Sequence, residues 1–457
     1  MKHKQFTLSN GIESLFVSKR DSNISCIIVT CKVGSKHEDK TNYGISHFLE
    51  HMFFKGTHKY KNNKALTSAI ESLGGTINAY TSQNTTNFII KINSNYIKKA
   101  IEILSDMLLH SLFRKKDIEY EQNIVITELN KYKDDPLYIL AEMFNTTIFK
   151  NTPLENMPIG TIETINNITR SSLINYKNKY YTADNLFITI TTNLSFTRIQ
   201  NVLQQSDFIK SESTDIKKNV PFLYTKSNNY TLNVNYKDME QEKIIIGFPI
   251  CNIYHKDKYI FECISNLLTG GLSSILFIEL REKNSLVYDI SSGTEYFNDI
   301  GTFCISTGMS LQKLLDYTEN NSLFNFQSVI QSYFGEKKHN DLKKGVLHII
   351  LDTIIHLIKK KITPIQLKAV INNIKGALLF GNENSEIITS YYSNQLIFNK
   401  DTIVSRKKLN KIYDKITIDD IQRVSKQYFT KDNLFVSVLG QSKQYKIGPF
   451  LEHFKQF

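Results

Sequence analysis

The pattern of apolar and polar positions predicts both strands and helices in this chain. Residues 8–12 form a glycine-containing interruption between two strand-like runs, which is typical of a hairpin turn. Residues 115–131 instead carry apolar side chains at helical spacing. These apolar positions are Ile118, Val125, Ile126 and Leu129. We therefore predict a hairpin near the start of the chain and an amphipathic helix over 115–131.

The longest apolar stretch, residues 345–358, is predicted to be a helix of the protein core. It contains His348, Asp352 and His356, whereas a membrane span needs about 20 consecutive, predominantly apolar residues. Residues 1–20 lack the apolar run of a secretory signal, and they leave no room for a cleavable mitochondrial presequence. We therefore expect neither a membrane segment nor a targeting signal.

The chain contains an internal repeat. Residues 169–190 align with residues 417–438 at a constant offset, and both copies contain Asp-Asn-Leu-Phe, at 184–187 and at 432–435. A repeat of this kind indicates a duplicated domain. We therefore predict an α+β fold of two homologous domains, each a mostly antiparallel β-sheet covered by helices.

Domain boundaries follow from the repeat and from the polar stretches beside it. We predict a first domain over residues 1–205, a linker over 206–229 and a second domain over 230–457, because the linker region is polar and interrupts the pattern of elements. Residues 311–342 have no counterpart in the first half. They therefore indicate an insertion, either a loop or a small subdomain.

Composition narrows the class of protein without identifying its function. With 41% hydrophobic residues among 457, the chain can build two or more cores. Its five cysteines form no Cys-x-x-Cys pair, which favours reduced thiols and a cytoplasmic location. The formal net charge of +12 comes mostly from lysines interleaved with Asn and Ile, so compositional bias is favoured over a nucleic-acid partner.

The strongest chemical signal is the string His-Phe-Leu-Glu-His at residues 47–51. On a helix, His47 and His51 stand one turn apart on one face, so both imidazoles can bind one metal ion. Glu50 lies beside them and is placed to take a proton from a water held at the metal. This order of residues is the inverzincin signature of zinc peptidases. The alternative is two core histidines and a surface glutamate that share this spacing by chance.

A catalytic zinc site needs a third protein ligand and keeps its fourth position open. Glu121 and Glu128 lie two turns apart on the helix predicted over 115–131, so they share one face. Taken alone, they are ordinary surface acids. Together with His-x-x-Glu-His, this pair resembles the pitrilysin and insulysin family, which includes the mitochondrial processing peptidase. The resemblance implies a zinc endopeptidase in which Glu128 is the third ligand and Glu121 a supporting carboxylate.

Two further segments extend the resemblance. Residues 73–81, LGGTINAYT, resemble a family block that forms an edge strand, which implies that Asn78 and Ala79 lie near the scissile bond of an added peptide strand. Within LREKNSLVYDI, Arg281 and Tyr288 resemble a pair that donates hydrogen bonds to the substrate carbonyl and the oxyanion formed on it. Without the surrounding residues that carry the resemblance, a surface arginine and a core tyrosine would be an equally good interpretation.

The second half carries no equivalent metal motif. Lys368 and Lys375 fall near the positions of the two glutamates, and the helix predicted over 259–268 contains no histidine. We therefore expect one Zn²⁺ per chain, bound by the first domain. The resemblance implies an extended or unfolded polypeptide substrate and a homodimer, or a heterodimer with a related subunit, that closes a chamber. A catalytically idle scaffold subunit of the same family is the alternative, although such members usually lose a ligand or the base.

Overall fold

A computed structural model describes residues 1–214, 222, 224, 229–316, 343–442 and 444–453. The later part of the predicted linker and residues 317–342 of the predicted insertion lie outside these ranges. No helix in the described ranges is both long and apolar enough to cross a lipid bilayer.

The described strands form two sheets of the same design. They are β1 (His3–Thr7), β2 (Glu13–Ser18), β3 (Ile24–Cys31), β4 (Thr76–Thr81), β5 (Thr86–Asn93), β6 (Leu186–Thr192), β7 (Thr231–Tyr236), β8 (Glu242–Ile250), β9 (Val287–Tyr296), β10 (Gly301–Met309) and β11 (Phe435–Gly440). The first sheet has the order β1-β2-β6-β3-β5-β4 and the second the order β7-β11-β8-β10-β9. In each sheet one pair is parallel, β2 with β6 and β7 with β11, and the other described pairings are antiparallel. The predicted fold class, with two homologous and mostly antiparallel sheets, is confirmed.

Helices cover the two sheets. They are α1 (Ile45–Phe53), α2 (Asn63–Glu71), α3 (Ile97–His110), α4 (Lys115–Asp134), α5 (Pro136–Ile148), α6 (Ile162–Asn166), α7 (Arg170–Tyr180), α8 (Phe196–Gln204), α9 (Lys258–Thr269), α10 (Ile275–Phe277), α11 (Val346–Lys359), α12 (Pro364–Gly381), α13 (Ser385–Phe398), α14 (Arg406–Tyr413), α15 (Ile418–Tyr428) and α16 (Gln444–His453). The helix predicted over 115–131 is α4, and the apolar stretch 345–358 lies in α11 except for Gly345, which caps that helix, so both predictions are confirmed. The predicted hairpin is the antiparallel pair β1 and β2.

The internal repeat corresponds to one recurring piece of structure. Thr169 and Thr417 each begin a helix, α7 or α15, and each side chain accepts a hydrogen bond from the helix backbone. Asn185 and Asn433 then donate from Nδ2 to a carbonyl oxygen at the end of that helix, at 2.8 and 3.2 Å. The chain continues into β6 or β11. Both copies of the repeat therefore share a threonine N-cap and an asparagine side chain that hydrogen-bonds the end of the helix.

Two helices are exchanged between the halves of the chain: α5, from the first half, belongs to the second compact unit, and α13, from the second half, belongs to the first. The first unit comprises Met1–Tyr132, Asn151–Pro221 and Ala377–Leu409, and the second comprises Lys133–Lys150, Phe222–Gly376 and Asn410–Phe457. Thus α5 packs on β8 and β11, and α13 packs on β3 and β6. The domains predicted from the sequence, 1–205 and 230–457, are each continuous, so they do not include the exchange of α5 and α13.

The exchange has a hydrophobic cause. Every residue of β6 is buried, so this strand needs an apolar layer on both of its faces. In the first unit, α13 supplies that layer with a buried cluster around Ile388 and Tyr392 against Leu15. In the second unit, α5 supplies Leu140, which packs with Met143 against Leu439 of β11. Each sheet is completed by a helix encoded in the other half of the chain.

Leu140→Ala should test this exchange. Leu140 is 1% exposed, so its truncation leaves a cavity and should lower the free energy of unfolding by about 2–5 kcal/mol. Hydrogen exchange should show the loss of protection in β8 and β11, although Leu140 is encoded in the first half. Leu137→Ala in the same helix is the control, because Leu137 is 58% exposed. Loss of protection in the strands of the first sheet would contradict the assignment of α5.

Candidate metal centre

The helix α1 presents the His-Phe-Leu-Glu-His string at the sheet edge. Its apolar side, which includes Phe48, Leu49 and Met52, is fully buried and packs the helix against β4 and β5. This packing leaves His47 and His51 partly exposed on the opposite side, with ring centroids 4.5 Å apart. The helical spacing alone therefore brings the two imidazoles together.

The helix α4 brings the third candidate ligand to the same place. Oε2 of Glu128 lies 3.6 Å from Nε2 of His51 and 3.9 Å from Nε2 of His47. The three ligand atoms all lie within 4.8 Å of one another. Two imidazole nitrogens and one carboxylate oxygen are a donor set found in catalytic zinc sites, and the spacing suits one shared ion.

Glu121 stands behind His51. Its Oε1 lies 2.7 Å from Nδ1 of His51, and its other oxygen forms an ion pair with Lys55. An ionised carboxylate can only accept a hydrogen bond, so Nδ1 carries the proton and the lone pair of Nε2 is free for a metal. The structure therefore places Glu121 in contact with a candidate ligand and not at the metal position itself.

The two histidines have different electrostatic surroundings. Burial, reinforced by the neighbouring His51, lowers the pKa of His47 to about 3, so His47 is neutral at physiological pH. Burial also acts to lower the pKa of His51, but the hydrogen bond and charge of Glu121 outweigh burial and raise that pKa. A metal ion must therefore displace a more tightly held proton at His51.

Glu50 is held by the neighbouring edge strand. The hydroxyl of Thr81 in β4 donates to Oε2 of Glu50 at 2.6 Å. Glu50 is only 7% exposed, and this burial raises the pKa of its carboxyl, opposed by the hydrogen bond from Thr81. A raised pKa suits a group that must accept and return a proton near neutral pH. No motif in the sequence indicates this role of Thr81, although Thr81 lies in the same strand as Asn78.

The strand β4 lies at the edge of the first sheet, as predicted from residues 73–81. Exposed and half-buried side chains alternate along it, with Asn78 exposed and Ala79 half-buried. The side-chain oxygen of Asn78 accepts the N–H of Ala79 at 2.9 Å. The structure thus places both residues on an edge strand that adjoins Glu50.

Arg281 and Tyr288 lie in the second unit and contact each other. Arg281 belongs to a π-helical segment, Ile278–Lys283, and its Nη1 donates to the backbone carbonyl of Tyr288 at 2.8 Å. The guanidinium also stacks 4.8 Å from the centre of the Tyr288 ring. Tyr288 is 77% exposed on the edge strand β9, so it is not a core tyrosine.

The equivalent helices of the second unit offer no comparable group. In α12, Lys375 forms an ion pair with Asp414. In α9, Glu262 accepts a hydrogen bond from the hydroxyl of Tyr413, and burial raises the pKa of Glu262 to about 7. Among the described residues, the triad of His47, His51 and Glu128 therefore has no counterpart in the second unit.

A second group of potential ligands in the first unit is already neutralised. Asp106, His110 and Asp207 place ligand atoms within 4.8 Å of one another. However, Nζ of Lys210 lies 2.6 Å from Asp207, and Nζ of Lys59 lies 3.2 Å from the same carboxylate. Two ammonium groups at this cluster favour an internal ion-pair network over a bound cation.

Glu38 anchors the start of α1, and the sequence analysis did not identify it. Its two carboxylate oxygens accept the backbone N–H groups of Gly44 and Ser46, each at 2.8 Å. Gly44 has a φ of 90°, and a Cβ there would meet the carbonyl oxygen of Ile159 at 2.8 Å. The helix that carries the two histidines is therefore held in place immediately before His47.

Comparison with known proteins identifies relatives of both halves. Residues 15–162 match the family model described as insulinase (peptidase family M16), and residues 167–374 match the peptidase M16 inactive domain. An uncharacterized zinc protease of Bacillus subtilis, YmxG, is 28% identical over 94% of this chain and 96% of its own length. An uncharacterized zinc protease of Rickettsia bellii is 30% identical over 67% of this chain and 73% of its own length.

Solved structures show the same fold. A protease from Helicobacter pylori superposes with a TM-score of 0.82 at 22% identity, over 96% of this chain and 99% of that chain. A structure titled peptidase M16 inactive domain, from Pseudomonas fluorescens, has a TM-score of 0.83 at 15% identity, over 97% of this chain and 98% of that chain. Both likenesses extend over nearly the whole chain.

Glu38→Ala should loosen the start of α1. The variant leaves the N–H groups of Gly44 and Ser46 without their acceptor, so the free energy of unfolding should fall by about 0.5–2 kcal/mol. Denaturant titration measures the change. Glu38→Gln keeps one acceptor oxygen and should lose less stability than Glu38→Ala. An unchanged midpoint and slope for Glu38→Ala would show that the two hydrogen bonds contribute nothing to folding.

Proposed function

The chain belongs to peptidase family M16, the insulinase family, and from this premise we propose that it is a zinc-dependent endopeptidase acting on extended or unfolded polypeptides. The observation that carries the proposal is the convergence of His47, His51 and Glu128 beside the buried carboxyl of Glu50. The family's idle scaffold subunits usually lose a ligand or the base. This chain retains all four residues, which argues against that alternative.

The proposed metal ligands are Nε2 of His47, Nε2 of His51 and Oε2 of Glu128, with one Zn²⁺ per chain. When bound, zinc would polarise the scissile carbonyl and lower the pKa of the attacking water. The candidate group has three members among the described residues, so a fourth position stays open for substrate and water. Glu121 keeps the ring of His51 oriented through Nδ1, so that Nε2 faces the proposed metal position.

Glu50 is the proposed general base and acid. It accepts a proton from the attacking water and later returns it to the leaving amine. The hydroxyl of Thr81 holds Oε2 at 2.6 Å, so Oε1 is the oxygen proposed to carry the proton. Burial supports the role, because the raised pKa of Glu50 makes its carboxylate a stronger base toward the attacking water.

The proposed substrate site is the free edge of β4. A peptide that adds to this edge as a strand is recognised mainly through its backbone, so binding does not demand one particular sequence. Asn78 and Ala79 would contact the peptide near the scissile bond. Because Asn78 now accepts the Ala79 N–H, a peptide using that donor would have to displace the Asn78 side chain.

Arg281 and Tyr288 are proposed to donate hydrogen bonds to the substrate carbonyl and the oxyanion. The exposure of Tyr288 and the stacking of Arg281 on its ring support this role. We further propose a homodimer in which this pair completes the metal centre of the second copy, within a chamber that excludes folded proteins. The free thiols of Cys26, Cys31 and Cys263 suit a reducing compartment, and we propose the cytoplasm.

Glu50→Gln is the direct test of the proposed function. The variant keeps all three ligands, so it should retain one zinc per chain, while peptide hydrolysis should fall by about 10²–10⁴. Zinc content is measured by elemental analysis, and activity with an unstructured fluorogenic peptide. Glu71→Gln, which changes an exposed carboxylate on α2, should match the parent in both measurements. Loss of zinc from Glu50→Gln, or full activity without Glu50, would refute the proposed roles.

Mixing two inactive variants tests the shared site. Tyr288→Phe removes one oxyanion donor and should lower the rate by about 10²–10³, while Glu50→Gln removes the base. A mixed dimer contains one site with an intact Glu50 from one copy and an intact Tyr288 from the other. Its activity should therefore recover to about half of the parent value per dimer. Exchange of subunits is followed by native mass spectrometry, and exchange without recovery would rule out donation between copies.

A further inference from the structure

The two carboxylate oxygens of Glu128 have different partners. Oε2 lies 3.6 Å from Nε2 of His51 and 3.9 Å from Nε2 of His47. Oε1 accepts a hydrogen bond from the hydroxyl of Tyr132 at 2.9 Å. One oxygen is thus directed to the candidate metal position, and the other is held by a phenol.

The position of Tyr132 on α4 makes this contact persistent. Tyr132 follows Glu128 by one helical turn, so the two side chains lie on the same face of the helix. The helix is anchored by Ile118, Val125 and Leu129, which are buried. A phenol remains a hydrogen-bond donor throughout the neutral pH range, whereas a carboxylate ion can only accept. Tyr132 is therefore the donor of this hydrogen bond, and Glu128 is the acceptor.

The same helix also controls a second ligand. Glu121 accepts from Nδ1 of His51, so α4 supplies one candidate ligand and the outer partners of two. By contrast, Nδ1 of His47 is buried and has no hydrogen-bond partner among the described residues. His51 donates a hydrogen bond to Glu121 of α4, and Glu128 accepts one from Tyr132 of the same helix, whereas His47 has no such partner among the described residues.

We propose that Tyr132 is a positioning residue that holds Glu128 as a one-oxygen ligand of the metal. This inference rests on the proposed zinc site. A carboxylate can bind a metal through one oxygen or through both, and a hydrogen bond to one oxygen favours the first mode. Binding through Oε2 alone preserves the open fourth position that water and substrate need. Outer partners of this kind also orient the ligand before the metal arrives.

Tyr132→Phe removes only the hydroxyl group and should weaken zinc binding. Because Glu128 is no longer held in its binding orientation, the dissociation constant for zinc should rise by about 10- to 100-fold. The constant is measured on metal-free protein by competition with a chromophoric chelator. Tyr120→Phe is the matched control, since Tyr120 lies on the same helix and is 65% exposed. Its zinc affinity should equal that of the parent.

Two further measurements separate positioning from a structural role. The melting temperature of metal-free Tyr132→Phe should equal that of the metal-free parent, because the ring and its packing remain. The visible spectrum of the Co²⁺-loaded variant should differ from that of the Co²⁺-loaded parent, because the coordination of Glu128 changes. A lower melting temperature with an unchanged cobalt spectrum would assign Tyr132 to folding and overturn the proposal.

The outcomes distinguish this inference from the proposed function. If the parent binds zinc and cleaves peptide while Tyr132→Phe binds zinc with a constant within about two-fold of the parent, only the role of Tyr132 fails. Equal loss of affinity in Tyr132→Phe and Tyr120→Phe would likewise overturn it. A parent that binds no zinc would overturn both proposals together.

Discussion

The hydrogen bond between Nδ1 of His51 and Glu121, 2.7 Å long, joins α1 to α4, the two helices that carry the three candidate ligands. Because Glu121 only accepts, it sets which nitrogen of His51 is protonated, and the shared contact brings Glu128 to the same side of α1. The rest of the centre depends on this junction. Lys55, in the turn that follows α1, forms an ion pair with the other oxygen of Glu121, so both oxygens of this buried carboxylate have a partner.

The junction also relates the candidate base to the proposed substrate strand. Glu50 lies on α1 between the two histidines, and Thr81 of β4 holds one of its oxygens. A peptide that adds to β4 would therefore bind to a strand already hydrogen-bonded to the base. Glu38 secures the other end of the arrangement, since it fixes the backbone just before His47. The hydrogen bonds of Glu38 to the backbone at the start of α1 and the hydrogen bond of Thr81 to Glu50 thus fix the position of α1 relative to the sheet edge.

Duplication has kept the fold of both units and changed the chemistry of one. Apart from the additional edge strand β1, the strand orders match, and the helix caps at Thr169 and Thr417 are the same. Where the first unit has an open group of ligands, the second has the internal pairs Glu262 with Tyr413 and Lys375 with Asp414. Each pair joins groups within the second unit, and the described residues of that unit contain no group of ligand atoms comparable to the triad. The second unit instead exposes Tyr288 and its neighbouring arginine.

The sequence by itself determined the features that depend on local spacing. One helical turn relates His47 to His51, so these two candidate ligands and Glu50 could be named from spacing, whereas Glu128 and Glu121 could be named only through the family resemblance. The repeat likewise predicted two similar sheets, because each copy encodes its own cap and strand. Only the tertiary structure decided which helix covers which sheet, because α5 and α13 bury apolar side chains against strands of the other half of the chain, and the hydrophobic effect is not directional, so an apolar side chain does not specify its partner. The same limit applies to Thr81, Glu38 and Tyr132. Their roles depend on the atom that each side chain contacts in the folded protein, and this contact cannot be predicted from hydrophobic periodicity or from composition.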